Sequence, residues 1–290
     1  MQKNKKIVTT GTFDGVHKGH RKVLDFMKER GAALGLSPAV VTFDRHPLEV
    51  ISPERAPKLL MTPDARDAAL SSLGVEVVRL AFDESLRRLT AAEWLRRMHR
   101  AGVEEVVVGY DNTFGCDGRS LRMEDYFRLG RDEGIAVEEA PLLPGVSSTL
   151  VRDALAQGRV EDAAGMLGRP YTLTGTVVHG RHLGHKLGFP TANVDCGSRL
   201  AIPAPGVYAA DVVLPYGSLR KAVVNIGSRP TVDNGSDISV EAHIPGFSGD
   251  LYGKTVSLRF LRRLRDEHRF GSLDELQAAI RADIESLQRN

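Results

Sequence analysis

Val8-Thr-Thr-Gly-Thr-Phe-Asp-Gly-Val-His-Lys-Gly-His20 reads as a buried strand that breaks through a glycine-spaced turn into a helix carrying two histidines in its first turn. Gly11 and Gly15 allow the backbone to approach a bulky anion, and the helix that follows offers free N–H groups and the positive end of its dipole. The spacing of His17 and His20 puts both imidazoles on one helix face. There they can donate hydrogen bonds to a phosphate that gains charge during reaction. Phe13 and Asp14 lie in the same candidate phosphate-binding turn. A lone His-x-x-His equally marks a helix with two surface histidines. The full string Gly-Thr-Phe-Asp-Gly-x-His-x-Gly-His, directly after an apolar strand pattern, is far more specific.

Working outward, short β-rich runs alternate with longer helical stretches from Lys6 to about Val146, the pattern of a parallel sheet covered by helices. Strands are predicted at 7–10, 39–43, 75–80, 105–109 and 135–138, and helices at 19–30, 63–72, 90–100 and 121–131. Thr62-Pro63 supplies an N-cap with proline at the first helical position, and Thr90-Ala-Ala-Glu93 is a capping box. In open sheets of this kind ligands bind beyond the carboxyl ends of the strands. Two further segments share that address. Thr42-Phe-Asp-Arg-His-Pro47 offers Asp44 and His46 to a ribose or a base, or fixes a turn before Pro47. Gly109-Tyr-Asp-Asn-Thr-Phe-Gly-Cys-Asp-Gly118 is a glycine-punctuated loop, functional or merely connecting.

Pro144-Gly-Val-Ser-Ser-Thr-Leu-Val-Arg152 places Ser147, Ser148 and Thr149 to cap a helix beginning near Leu150, with Arg152 in its first turn. A cation there is electrostatically misplaced unless it meets an anion, which a triphosphate would supply; a capped surface helix with a solvated arginine is the alternative. A short helix is predicted at 160–167, and the Gly168-Arg-Pro170 turn divides the chain into domains 1–168 and 169–290. Beyond Tyr171, period-two runs at 172–178, 207–214, 221–226, 239–244 and 255–261 suggest an antiparallel sandwich or barrel. Turn signals such as Pro205-Gly206 and Asn234-Gly235 separate them. Ser272-Leu-Asp-Glu275 caps a final helix whose stripe Leu276, Ile280, Ile284 and Leu287 suits packing on the barrel.

The most informative stretch of the second half is Gly180-Arg-His-Leu-Gly-His-Lys-Leu-Gly-Phe-Pro-Thr-Ala-Asn193. Gly180, Gly184 and Gly188 expose backbone N–H groups that could wrap phosphates, although the P-loop pattern is absent. Thr191 and Asn193 offer neutral oxygens of the kind that hold a magnesium ion already bound to phosphate. Glu241, in Ser-Val-Glu-Ala-His-Ile, is either the carboxylate that takes a proton from an attacking hydroxyl or an outward-facing strand residue.

Composition sets limits around these motifs. The chain has 290 residues, 42% hydrophobic and 26% charged, as in a globular protein large enough for two cores. A formal charge of +2 supplies no basic field for nucleic acid. Cys116 and Cys196 are too few for a disulfide framework and lack zinc-site spacing. The basic start lacks a secretory apolar core, and no run approaches a membrane span, so a cytoplasmic protein without nucleic-acid or membrane partners is expected.

The combination of Gly-Thr-Phe-Asp-Gly-Val-His-Lys-Gly-His, Thr-Phe-Asp-Arg-His-Pro and Ser-Ser-Thr-Leu-Val-Arg with Gly-Phe-Pro-Thr-Ala-Asn, Pro-Gly-Val-Tyr-Ala, Asn-Ile-Gly-Ser-Arg-Pro-Thr and Asp-Leu-Tyr-Gly closely resembles the bifunctional bacterial riboflavin kinases and FAD synthetases, in the family's order over nearly the whole chain. The resemblance implies an α/β + β chain: an N-terminal Rossmann-like nucleotidyltransferase domain with a parallel sheet, then a riboflavin kinase-like antiparallel β-barrel with a terminal helix. It implies that riboflavin is phosphorylated by ATP to FMN, and that FMN is adenylylated by a second ATP to FAD with release of pyrophosphate. In that family pattern His17 and His20 stabilise charge at the α-phosphate and Arg152 holds the outgoing phosphates. Thr191 and Asn193 ligate Mg2+, Glu241 is the general base, and Asp44, His46, Asn112 and Arg265 belong near the flavin. Asn112 and Thr113 stand where the family usually has an aromatic and then a basic residue, and His185 stands where it usually has arginine. A nucleotidyltransferase for another phosphate, or a non-catalytic flavin-binding regulator, is the competing reading; the first leaves 171–261 unexplained and the second leaves the histidine pair unexplained.

Overall fold

Parallel pairing begins at the opening stretch: β1 (Lys6–Thr10) lies between β2 (Ser37–Phe43) and β4 (Val103–Val108), with Val8 beside Ala39 and Val106. The computed structural model describes residues 5–110, 113–180, 188–229, 237–268 and 270–287. The chain divides into two units, Met1–Ser148 and Thr149–Asn290.

In the first unit β3 (Glu76–Leu80) and β5 (Ala136–Glu139) complete a sheet of order β3-β2-β1-β4-β5, all parallel. Strands covered on both faces are buried along most of their length, and β1, β2 and β4 are, through Ile7 and Val8, Ala39–Val41 and Val106–Val108 together with the buried Thr9, Thr10 and Thr42. Ile7, Val40 and Val107 meet α1 (Lys18–Leu34) and α3 (Pro63–Ser71) through Leu24, Met27 and Leu70. Val8, Val41 and Val106 meet α5 (Ala91–Arg100) and α6 (Met123–Glu133) through Trp94, Leu95 and Tyr126. The order reverses between β1 and β4, so the switch point of the sheet falls at the end of the opening strand.

Thr172 and the later β runs build the expected barrel. Strands β6 (Tyr171–Val178), β7 (Thr191–Asp195), β8 (Gly206–Val213), β9 (Leu219–Arg229), β10 (Asp237–His243) and β11 (Thr255–Arg265) close in the order β10-β7-β6-β11-β8-β9, every pair antiparallel. Leu173, Tyr208, Val224, Ile226, Leu258 and Phe260 are completely buried and fill the interior. Helix α7 (Ser148–Ala156) precedes α8 (Val160–Leu167), which lies ahead of residue 168 and packs on β6 and β11. The terminal helix α9 spans Leu273–Ser286.

Differences from expectation are local. Helix α1 runs past Gly31 and stops only where Gly35 turns left-handed at φ 67°. The one-turn helices α2 (Leu48–Ile51) and α4 (Glu84–Arg87) are too short to leave a periodic signal. Thr191–Asn193 of the Pro-Thr-Ala-Asn segment, read as a ligand loop, open strand β7, which pairs with β10 along 191–193 and with β6 along 193–195. The Asn234-Gly235 turn lies outside the described residues.

Candidate active sites

Between β1 and α1 the chain turns tightly, with Phe13 at φ 48°, Gly15 at 83° and Val16 at 42°. Left-handed conformations at non-glycine residues cost about 1–3 kcal/mol each. Burial holds them, since Phe13 is 4% and Val16 1% exposed. The Asp14 carboxylate accepts from the amides of Leu60 and Met61, while its carbonyl accepts from Ser148 Oγ at 2.9 Å. The Gly11 amide donates to Val41 O. In this structure, then, Asp14 and Gly11 shape the turn.

The turn delivers His17 as the N-cap of α1. Its Nδ1 accepts from the His20 amide at 3.2 Å, and the two imidazoles stack with centroids 3.6 Å apart and planes 14° from parallel. Gly19 makes room for this: a Cβ there would lie 3.1 Å from the His17 ring. Burial, and then the neighbouring His17, hold the His20 pKa well below the ordinary 6.5. At neutral pH His20 is an uncharged ring with one N–H to donate, next to first-turn amides of α1 that have no intrahelical acceptor.

A cavity of about 470 Å³ opens beside the start of this turn, within the first unit. Thr10–Thr12 after β1, Phe43 and Pro47 after β2, Phe82 after β3, Trp94 of α5 and 113–116 after β4 contribute to its wall. The loops are tied together from beneath. Asp44 accepts from the Phe82 amide at 2.9 Å, and buried Arg66 donates to Phe43 O at 2.8 Å. Tyr126 Oη binds both the amide and the carbonyl of Phe114, and Asp117 accepts from the Ala91 amide. His46 Nδ1 accepts from the amide of Leu48, the first residue of α2. Asp44 and His46 thus build the cavity's frame; Arg66 and Trp94, which the sequence motifs did not mark, belong to it too.

The second site lies on the outer face of the barrel. Alternation along β7, β9 and β10 points Ala242, Val224 and Ile226 inward, so Asn193, Glu241 and Asn225 stand in a row across three strands on the opposite face. Thr191 Oγ1 donates to Glu241 Oε2 at 3.3 Å. His243, opposite Thr191, contacts Pro190 O through Nδ1 at 2.9 Å. Gly180 lies so close to Asn193 that a Cβ would come within 2.1 Å of the side-chain amide. Hydroxyl, amide and carboxylate oxygens side by side form the hard donor set that suits Mg2+.

Thr191, Glu241, Asn225, His243, Arg265 and α9 surround a cavity of about 780 Å³. Arg265 bonds Asp283 of α9 through Nε and Nη2, the latter at 2.9 Å, and its guanidinium lies 5.4 Å from the Phe270 ring centre.

Of the expected residues, His17, His20, Phe13, Asp14 and Gly15 come together at the turn before α1, and Thr191, Glu241 and Arg265 line the barrel cavity, with Asn193 beside Glu241 on the neighbouring strand. Ser147 and Ser148 belong to the first unit, whereas Thr149 and Arg152 fall in the second. Helix α7 starts at Ser148, two residues earlier than expected, so Arg152 sits in its second turn. Gly188 adopts φ 82°. Asn112, Gly184 and His185 lie outside the described residues.

Two family models match successive parts of the chain. The family model described as FAD synthetase matches residues 1–151, and the one described as riboflavin kinase matches 167–290. A bifunctional riboflavin kinase/FMN adenylyltransferase of Pseudomonas fluorescens is 42% identical over 289 residues, covering 96% of this chain and 90% of that protein. Proteins of the same description from Escherichia coli K12 and Bacillus subtilis 168 are 35% and 32% identical, again over 96% of this chain and 90% of theirs. A solved structure from Streptococcus pneumoniae, described as a macrolide-efflux protein, matches with a TM-score of 0.90 and 30% identity over 100% of this chain and 96% of that one. That description belongs to the other protein. Among the described residues here, no helix is long and apolar enough to cross a membrane.

Proposed function

The chain belongs to the bifunctional riboflavin kinase/FMN adenylyltransferase family, and from that premise we propose how its two sites divide the chemistry. The protein converts riboflavin to FMN and FMN to FAD, using ATP in both steps. The observation that carries the reading is that each unit holds its own cavity of ligand size, one adjoining the turn that delivers the histidine pair and one at the Thr191–Glu241 group.

At the barrel site, Glu241 takes the proton of the ribityl hydroxyl as that oxygen attacks the γ-phosphorus of ATP and ADP departs. Thr191 and Asn193 are the residues that would hold Mg2+, which neutralises phosphate charge when bound. Arg265 fixes α9 over the flavin by way of Asp283. The glycine-spaced segment 180–188 is assigned to the phosphates of ATP.

At the first-unit site, a phosphate oxygen of FMN attacks the α-phosphorus of ATP, and the bond to the bridging oxygen of pyrophosphate breaks. His17, oriented through its Nδ1, and neutral His20 donate to the oxygens that gain charge. The amides at the start of α1 add their dipoles. Positioning and charge stabilisation suffice, because phosphoryl chemistry of this kind needs little covalent help. Asp44 and His46 act on the flavin indirectly by holding the loops of the cavity. Arg152 keeps contact with the outgoing phosphates; its support is the Ser-Ser-Thr-Leu-Val-Arg motif. The reactions belong in the cytoplasm, and the partners are riboflavin, FMN and ATP.

The test is direct. Purified protein incubated with riboflavin, ATP and Mg2+ yields FMN first and FAD after it when the flavins are separated by chromatography, and a chelator stops the first step. FMN without FAD removes the adenylyl-transfer assignment; unchanged riboflavin removes the kinase.

A further inference from the structure

The two cavities differ in the charge of their walls. Around the barrel cavity the described residues include the carboxylates of Glu241, Glu267 and Asp283, and the arginine that lines it, Arg265, is already paired with Asp283 at 2.9 Å. The described lining of the first-unit cavity holds two arginines, Arg87 and Arg119, and no carboxylate. Arg87 donates from Nη1 to both Glu84 oxygens, at 2.9 and 2.7 Å. The guanidinium of Arg119 is exposed and makes no hydrogen bond or ion pair with any described residue. Its backbone, by contrast, is pinned. The Cys116 amide donates to Leu89 O at 2.8 Å, and Asp117, the nearest carboxylate along the described chain, is engaged by the Ala91 amide at 2.8 Å. Gly118 is buried so close to Tyr126 that a Cβ would lie 2.9 Å from its hydroxyl, and residues Gly118–Ser120 form a single 3₁₀ turn. A fixed backbone thus holds an uncompensated cation at the cavity wall, which lowers the ordering cost of binding an anion there.

We propose that Arg119 binds the phosphate of FMN and so makes the first-unit cavity select FMN over riboflavin. The proposal rests on the reading of this cavity as the flavin seat. Riboflavin and FMN share the ring and the ribityl chain, and differ only in a terminal phosphate that carries a charge of about −1.5 to −2 at neutral pH. Apolar walls such as Phe43 and Phe82 meet the shared ring and cannot tell the two apart. A guanidinium can, because its planar fork matches two phosphate oxygens at once, while riboflavin leaves it without a partner. The acidic wall of the barrel cavity suits the uncharged flavin. Specificity is a difference of affinities, and the opposite charge of the two walls sends each flavin to its own site.

Cys116 supplies a reporter in the same wall, since it is exposed and lines the cavity. The other cysteine, Cys196, stays silent: burial, and then the neighbouring Asp195, push its thiol up to about 12. The full-length protein is alkylated with iodoacetamide in ATP-free buffer, where riboflavin cannot be phosphorylated, and peptide mass spectrometry follows Cys116 as FMN or riboflavin is titrated. In the native protein half-protection is expected at an FMN concentration about tenfold below that of riboflavin, the size of one charge-assisted contact. In Arg119→Gln the FMN value rises to that of riboflavin, which itself stays put, and Arg119→Lys recovers part of the gap. KM for FMN in FAD formation rises by the same factor in the glutamine variant, while KM for ATP stays native and riboflavin phosphorylation serves as the folding control. FMN that gives Cys116 no protection at concentrations saturating adenylyl transfer overturns the cavity reading and the proposal with it. Protection by FMN in the native protein, with the same selectivity and KM in Arg119→Gln, overturns the proposal alone, as does a rise in KM for ATP in place of FMN.

Discussion

His20 shows how a residue's surroundings decide what it can do in a reaction. Held well below 6.5 by burial and by His17, it stays neutral in the native protein at pH values where the unfolded chain has already taken up a proton. The unfolded state therefore binds more protons just below 6.5, and native stability falls as pH drops through that value until the native pKa is reached. In an imidazole NMR titration His20 is expected to remain neutral at pH 6.5; a midpoint at or above 6.5 refutes the stacked, desolvated arrangement. At this scale the sequence was legible in placement: His17 stacks on His20, and Thr191, Asn193 and Glu241 are neighbours, with the chemistry proposed for them resting on residue type. It was silent on Trp94 and Arg66, whose roles arise from what tertiary packing leaves beside them.

At the level of elements, α9 is held to the barrel by Arg265 and Asp283, whose side chains are 28% and 9% exposed. Asp283→Ala leaves a partly buried guanidinium without its carboxylate and loosens the helix over the cavity. The expected loss is about 1–3 kcal/mol in urea unfolding, with a raised KM for riboflavin; unaltered stability and KM would count against the clamp. Long elements with caps were readable, α5 from its capping box and α9 from Ser272 and its apolar stripe. β7 was not: Thr191, Asn193 and Asp195 do alternate with Ala192 and Val194, but five residues with only two apolar ones, directly after a glycine-spaced stretch, give too short a signal, and pairing with β10 and β6 makes it a strand. One-turn helices α2 and α4 follow from how loops leave the sheet, which only the assembled fold defines.

For the whole molecule, separate cavities predict separable activities. His20→Ala is expected to abolish FAD formation from FMN by at least about 100-fold while riboflavin phosphorylation continues. Glu241→Gln is expected to do the reverse. Equal loss of both activities in either variant would refute the division of labour, and a chromatographic assay run separately on each substrate decides it. The change from alternating β and α segments to period-two strands made the two architectures legible, because each buries its core by a different repeat. The strand orders were not legible, since they depend on pairings between distant segments.

Those two architectures also differ in how each meets a second copy of itself. A closed barrel offers no unpaired strand edge, but the open sheet ends at β3 and β5, each with a free row of backbone groups facing outward. Both edges are short, and both carry charge: Glu76 and Arg79 on one, Glu138 and Glu139 on the other. Glu76 is paired with Lys6, and Arg79 with Asp64 and Asp67. In a crowded cell the second half resists sheet-to-sheet aggregation by its topology alone. The first half relies on a few charged side chains, and neutralising them would invite edge-to-edge aggregation without touching either active site.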